Sequence, residues 1–223
     1  MRSMKPFDFF FPPECVACGL RGMWLCDCCW LTLKPTILKD DRFMILPDPY
    51  RGERLELITT CQPSVILQRV IHEFKYTYHE DFYVLLGELI AARLQNFCHA
   101  ISEKFSSDQM CLAPVPLHES REKMRGFNQS ELLSQYISDR LGWPVWKGLV
   151  RMRATAAQAT LSRQGRLSNI EDAFGVCVAC PIPEIVFIVD DVVTTGATFS
   201  ECRRVLQEAG VKEIYGIVLS HGL

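Results

Sequence analysis

Hydrophobic positions along the chain become regular from residue 63 onward. Ile66, Val70 and Phe74 recur every four residues, which places them on one face of a helix ending near Tyr76. Tyr83, Leu86, Ile90, Leu94, Phe97 and Ile101 make a second, longer helical stripe. The run MCLAPVPL then predicts a strand, stopped by Pro114 and Pro116. A further helix starts with Asn128 as its cap, carries Leu132, Tyr136, Ile137 and Leu141 on its buried side, and ends at Gly142. PVWKGLV reads as a strand, and the segment from Ser162 to about Phe174 as containing a short helix. EIVFIVDD is a continuous apolar strand of the kind buried on both faces. A helix over Ala197–Ala209 stops at Gly210, and EIYGIVLS supplies a final strand. Strands alternating with helices predict an α/β fold over residues 63–223, with a mostly parallel sheet and helices on both sides.

Upstream the pattern differs. Residues 1–40 are rich in Cys and Pro, and residues 41–62 have mixed polarity that suits either a linker or irregular strands. A chain of 223 residues, 48% of them apolar, fits one medium domain with a small appendage. The formal charge of −2 creates no global field for nucleic acid or anionic lipid. No apolar run approaches the ~20 residues of a membrane span. The opening MRSMKPFDFFFPPE is interrupted by Asp8 and two prolines and lacks a small-residue cleavage site, so it is a poor signal peptide. A cytoplasmic protein without membrane insertion is the expectation.

The cysteines alter that picture. Five of the eleven fall between Cys15 and Cys29. Clustering in a chain expected to be cytoplasmic points to metal rather than to a disulfide scaffold. Cys15-x2-Cys18 and Cys26-x2-Cys29 are two knuckles separated by seven residues, each able to bend two thiolates toward one Zn2+. Cys28 competes with Cys26 and Cys29, and a spacing of two on both sides is preferred. Gly19 and Gly22 help the short loop turn. The segment has too little apolar mass to fold alone, so the metal would stabilise it directly. Its role is structural or a contact with DNA or a protein partner. Cys177-x2-Cys180 has no visible second pair and reads as incidental.

The stretch VFIVDDVVTTGATFS carries the most specific chemistry. Asp190 and Asp191 lie at the carboxyl end of a strand, where open α/β sheets bind ligands. The loop Val192, Val193, Thr194, Thr195, Gly196, Ala197, Thr198 then enters a helix. Its free N–H groups and the positive end of the helix dipole suit a phosphate monoester. The spacing is not that of a P-loop, so no lysine grips a β- or γ-phosphate. Ionised carboxylates only accept hydrogen bonds, and a sugar diol offers donors. A ribose 5-phosphate satisfies both halves. The competing reading, an acidic pair capping a helix in some other α/β fold, includes phospho-receiver domains. Those would place the pair near the start of the fold.

VFIVDDVVTTGATFS resembles the phosphoribosyl-diphosphate (PRPP) motif of type I phosphoribosyltransferases. APVPLHESREKMRGFNQ, RMRATAAQATLSRQGRLSNIEDAFGV and the cysteine cluster together resemble the competence protein F (ComF) family, over nearly the whole chain and most weakly over residues 40–60. The resemblance implies a type I phosphoribosyltransferase, Rossmann-like architecture. It also implies PRPP binding with Mg2+, transfer of phosphoribosyl to an acceptor it does not identify, and a link to DNA uptake.

Asp190, Asp191, Val192–Thr198, Arg125 and Lys75 are then the PRPP residues, with Asp190, Asp191 and Arg125 the catalytic set. Arg121, Lys123, Lys147, Arg151, Arg153, Arg163 and Arg166 supply further cations, any of which is as well explained by solvated charge. RATAAQATLSRQGR resembles the mobile basic loop that covers the site in these enzymes. Lys75 is explained nearly as well by a helix C-terminus that favours cations. His118 is the nearest candidate base by neighbourhood. The rival function is a non-catalytic PRPP sensor, or an adaptor that engages DNA or competence proteins.

Overall fold

The computed structural model describes residues 12–33, 43–76, 82–101, 109–153 and 170–222. Among these described residues the elements run in the order α1 (Asp27–Leu33), β1 (Met44–Pro47), β2 (Arg54–Thr59), α2 (Val65–Tyr76), α3 (Phe82–Ile101), β3 (Met110–Pro114), α4 (Glu119–Arg125), α5 (Gln129–Leu141), β4 (Leu149–Arg151), β5 (Phe174–Val176), β6 (Ile185–Val189), β7 (Val192–Val193), α6 (Ala197–Glu208), β8 (Glu213–Val218) and β9 (Ser220–His221). Five strands form the main sheet in the order β1-β2-β8-β6-β3. Every pairing in it is parallel except the β1–β2 hairpin at one edge. Two short ribbons, antiparallel β4–β5 and parallel β7–β9, flank it.

Both faces of the sheet are covered, and the strands show why their apolar runs are unbroken. Along β6, Ile185, Phe187 and Val189 enter one core while Val186 and Ile188 enter the other. The first core lies under α2, α3 and α5, with Leu67, Phe74, Leu86, Leu94, Leu133 and Ile137 at its centre. The second lies under α6 and the β4–β5 ribbon, and contains Phe199, Cys202, Leu206 and Phe174. Gly216, at the middle of β8, lets Phe199 lie directly on the sheet. A Cβ there would come within 2.6 Å of the Phe199 ring and 2.2 Å of Leu57 Cδ2.

The helical stripes form α2 and α3 over the expected residues, and Asn128 caps α5 by accepting a 3.0 Å bond from the Ser130 N–H. Residues 44–47 and 54–59, left open between linker and irregular strands, are the β1–β2 hairpin, so the sheet extends upstream of residue 63. PVWKGLV divides in two. Val145 extends the edge of β3 through a bridge to Leu112, whereas Leu149 and Val150 belong to the separate β4 ribbon. Most of the helix expected between Ser162 and Phe174 lies outside the described residues; Phe174 itself begins β5.

The cysteine segment sits on the first core. Val16, Trp24, Leu25 and Trp30 pack against it, Leu33 is buried in it, and Arg69 of α2 donates a 2.9 Å bond to the Ala17 carbonyl. Among the described residues no helix is long and apolar enough to cross a membrane.

Candidate functional site

The acidic pair is held where β6 leaves the sheet. The Asp190 N–H donates to the Ile217 carbonyl at 3.0 Å, and the Asp191 carbonyl accepts from the Leu219 N–H at 2.9 Å. Each carboxylate has a partner from a different helix. Asp190 Oδ1 accepts from Ser130 Oγ at 3.0 Å, in the first turn of α5, and from the Asp191 N–H at 2.9 Å. Asp191 Oδ1 pairs with Lys75 Nζ at 2.8 Å, at the end of α2. Burial and then the adjacent Asp191 charge push Asp190 up to about 7, against the pull of Lys75 and of the two hydrogen bonds.

Beyond the pair, β7 and β9 hold the chain flat for two residues before Thr194, Thr195 and Gly196 turn it into α6. Gly196 has φ 78°, the left-handed region, and is the N-cap residue of a helix with no side-chain cap. A Cβ at this position would stand 2.9 Å from Leu55 Cδ1 of β2. Gly196 offers no side-chain cap to the N-terminus of α6, which is the positive end of the helix dipole. Thr195 Oγ1 accepts from the Ala197 N–H at 3.4 Å, a long contact that leaves the turn open to a better acceptor. Val193 is buried beneath this turn.

Two residues that sequence reasoning missed hold the site in shape. Ser130 has no local marker of its role, because its partner lies sixty positions away in the chain. Asp48 is buried at the β1–β2 turn. Its Oδ1 accepts from the Tyr50 and Arg51 N–H groups, and its Oδ2 accepts from Ser200 Oγ of α6 at 2.7 Å. The hairpin is thereby fastened to the helix that follows the phosphate-type turn. The Asp-Pro-Tyr-Arg-Gly string marks a turn, but nothing in it points to α6.

The cations expected around the site separate into two groups. Arg125 ends α4, donates to Gln129 Oε1 at 3.0 Å and lies 5.3 Å from the centre of the Tyr76 ring. Among the described residues its Nε and the Gln129 Nε2 are buried without a hydrogen-bond acceptor. Gln129 and Ser130 are consecutive, so the first turn of α5 joins Arg125 to Asp190. Arg121 has its pKa lowered by burial and then by Arg125, and Arg151 is lowered to about 10 by burial and then by Arg121. Arg151 is also near enough to Asp190 to be influenced by it. Three guanidiniums from α4 and β4 thus converge.

Other basic residues have surface partners. Lys123 pairs with Glu119 at 2.6 Å, Lys147 with Glu131, and Arg153 donates to the Glu171 carbonyl. Arg163, Arg166 and the rest of RATAAQATLSRQGR lie mostly outside the described residues. His118 is the N-cap of α4. Its Nδ1 accepts from the Ser120 N–H at 3.2 Å, which gives it a structural task on an exposed turn.

The four knuckle cysteines converge at the other end of the chain. The Sγ atoms of Cys15, Cys18, Cys26 and Cys29 all lie within 4.8 Å of one another, and Cys18 and Cys26 are 3.7 Å apart. Thiolates around Zn2+ at about 2.3 Å define a tetrahedron with edges of roughly 3.8 Å, so the set fits that ion. Burial raises the Cys15 thiol, but N–H groups of Cys26, Cys18 and Ala17 outweigh it and bring the pKa down to about 6. The thiol interaction with Cys26, and then burial, push Cys29 up, so without an ion the four cannot all be thiolates at neutral pH. Cys28 is exposed and stands outside the cluster, which settles the choice left open by spacing.

No family model matches the chain. The DNA utilization protein YhgH of Salmonella typhimurium is 32% identical over 203 residues, covering 90% of this chain and 85% of its own. The chain belongs to the ComF family. Competence protein F of Haemophilus influenzae is 39% identical over 107 residues, 46% of each chain. Competence protein ComFC of Streptococcus pneumoniae is 28% identical and matches over 72% of this ComF chain and 74% of its own. Among solved structures, an orotate phosphoribosyltransferase from Aeropyrum pernix overlaps 84% of this chain at 16% identity with a TM-score of 0.38. That overlap is too loose to bear on the site, whose geometry stands on this chain's own residues.

Proposed function

We propose that this ComF protein binds PRPP and transfers its phosphoribosyl group to an acceptor, releasing pyrophosphate. One observation carries the reading: two carboxylates at the end of β6 are followed, through a turn at Gly196, by the N-terminus of a helix. Asp190 and Asp191 accept hydrogen bonds from the ribose 2- and 3-hydroxyls and position the ring. The N–H groups and hydroxyls of Thr194–Thr198 receive the 5-phosphate. Arg125 and Lys75, with Arg121 and Arg151 behind them, face the pyrophosphate as it departs and C1 gains oxocarbenium character. Mg2+ bound with the ligand would supply further positive charge to the pyrophosphate. Lys75 would then exchange part of its contact with Asp191 for a phosphate oxygen.

Zn2+ at Cys15, Cys18, Cys26 and Cys29 holds the N-terminal segment against α2 and α3. The rival reading, a PRPP sensor or DNA- or protein-binding adaptor, draws on the exposed Leu20, Met23 and Leu31 around those cysteines. Calorimetry with PRPP and Mg2+ tests the pocket. The chain should bind, and Asp190→Asn combined with Asp191→Asn should weaken affinity by at least ~100-fold; unchanged affinity would remove the site. A pyrophosphate-release screen over bases, amines and nucleic-acid ends separates the two functions. Firm binding with no release on any acceptor favours the sensor.

A further inference from the structure

We infer that Cys177 and Cys180 form a dithiol site that undergoes thiol–disulfide exchange with a low-molecular-weight disulfide, closing to an intramolecular Cys177–Cys180 bond. The two residues end a four-residue turn between β5 and β6. The Cys180 N–H donates to the Cys177 carbonyl at 3.1 Å, and the Cys177 N–H donates to the Gly148 carbonyl at 2.8 Å. A turn closed in this way keeps its outer Cα atoms within about 7 Å. A disulfide spans about 4.4–6.8 Å between Cα atoms, so the bond can form with little backbone movement. The residues beyond the turn are pinned, since Trp146 Nε1 donates to the Pro181 carbonyl at 2.9 Å. Val178, at the apex, is fully exposed, and both thiols are partly exposed.

The two sulfurs are unequal. Cys177 is lowered by the Ala179 N–H first and then by the Cys180 thiol, whereas Cys180 is raised by its interaction with Cys177. A nucleophile with a lowered pKa followed three residues later by a resolving thiol is the arrangement that exchange requires. Among the described residues outside the four-cysteine cluster, Cys61, Cys111 and Cys202 are buried, and Cys28 is exposed beside the cluster without belonging to it.

The chemistry balances with one disulfide molecule. The Cys177 thiolate attacks a sulfur of glutathione disulfide, breaking its S–S bond, forming a mixed disulfide and releasing one glutathione thiolate. Cys180 then loses its proton and attacks Cys177 Sγ, forming the protein S–S bond and expelling the second glutathione. Two protein thiols are oxidised and one disulfide is reduced to two thiols.

The test treats the zinc-loaded full chain with glutathione disulfide near neutral pH, followed by peptide mapping with mass spectrometry. The peptide holding Cys177 and Cys180 should appear two hydrogens lighter, and dithiothreitol should reverse the change. Cys28 serves as the internal control and should carry only a glutathione adduct. In Cys180→Ser, Cys177 should accumulate as a stable mixed disulfide. In Cys177→Ser, modification of Cys180 should slow at least ~10-fold. A pair that stays reduced while Cys28 reacts, or that carries two separate adducts without closing, would overturn the assignment. Circular dichroism of each variant confirms that the fold persists.

Discussion

The two ends of this chain reach order by opposite means. Residues 12–33 contain one seven-residue helix and a single isolated bridge, and they converge on four thiols. The turn after β6 has no metal-type cluster among the described residues. It is held by a strand with five consecutive buried residues, a second strand at β8, and a helix whose own face enters the core. An interior of that kind keeps its shape through packing, at the density of an organic crystal. A small knuckle cannot, because it buries too little apolar surface to offset the entropy of ordering its backbone. The unit that carries the acidic pair therefore rests on the sheet, and the unit rich in thiols brings together four side chains that could hold an ion.

Removing the ion is the most damaging way to probe this contrast. Structural Zn2+ in small Cys sites contributes on the order of 10 kcal/mol to folding. A strong chelator, or Cys15→Ser with Cys26→Ser, should unfold residues 12–33. Hydrogen exchange should then show lost protection there while β6 and β8 stay protected. Metal analysis of the intact chain should find about one zinc per molecule.

The sheet has its own weak point in the ring of Phe187, which is wholly buried and packs 4.9 Å from Trp143 and 5.3 Å from Tyr215. Phe187→Ala should cost about 3–5 kcal/mol in urea denaturation. Zinc stoichiometry should be unchanged, because the four clustered thiols belong to residues 15–29 and Phe187 is not among them.

Asp190 sharpens the comparison, since the sheet also bears a cost for its site. Its folded pKa of about 7 lies above the ordinary 3.8. Its contribution to stability is therefore complete below about pH 4 and is lost as pH rises through about 7. Asp190→Asn should stabilise the fold by on the order of 2–4 kcal/mol at pH 8 and change little at pH 4, measured by thermal melts across that range. PRPP affinity of the natural chain should rise between pH 6 and 8 as the carboxylate ionises, a trend Asp190→Asn should abolish. The smallest effect belongs to Ser130→Ala. Loss of one hydrogen bond to a carboxylate should cost about 1 kcal/mol and move the rise in PRPP affinity to higher pH.

What was readable before the fold was known follows from how local each feature is. Helices α2 and α3 were legible because a stripe every three or four residues is a property of neighbours. Asn128 and Gly142 were legible as caps for the same reason. The β1–β2 hairpin was not, because its strands are short and its exposed positions carry Arg54 and Glu56, a pattern shared with loops. PVWKGLV looked like one strand, yet Val145 pairs with β3 of the main sheet and Leu149 with the β5 ribbon, a decision made by distant partners. Cys26 rather than Cys28 belongs to the cluster because α1 starts at Asp27 and turns Cys28 outward, while Cys29 joins the set.

Residue order alone determined that four thiols come in two close pairs and that two acids precede a glycine turn into a helix. Those are contacts between near neighbours, and chain connectivity enforces them in any compact state. Tertiary structure decided that Lys75 meets Asp191, that Ser130 meets Asp190 and that Asp48 locks a hairpin to α6. Charge and hydrogen-bond energies depend on separation and burial in space, which sequence distance does not record.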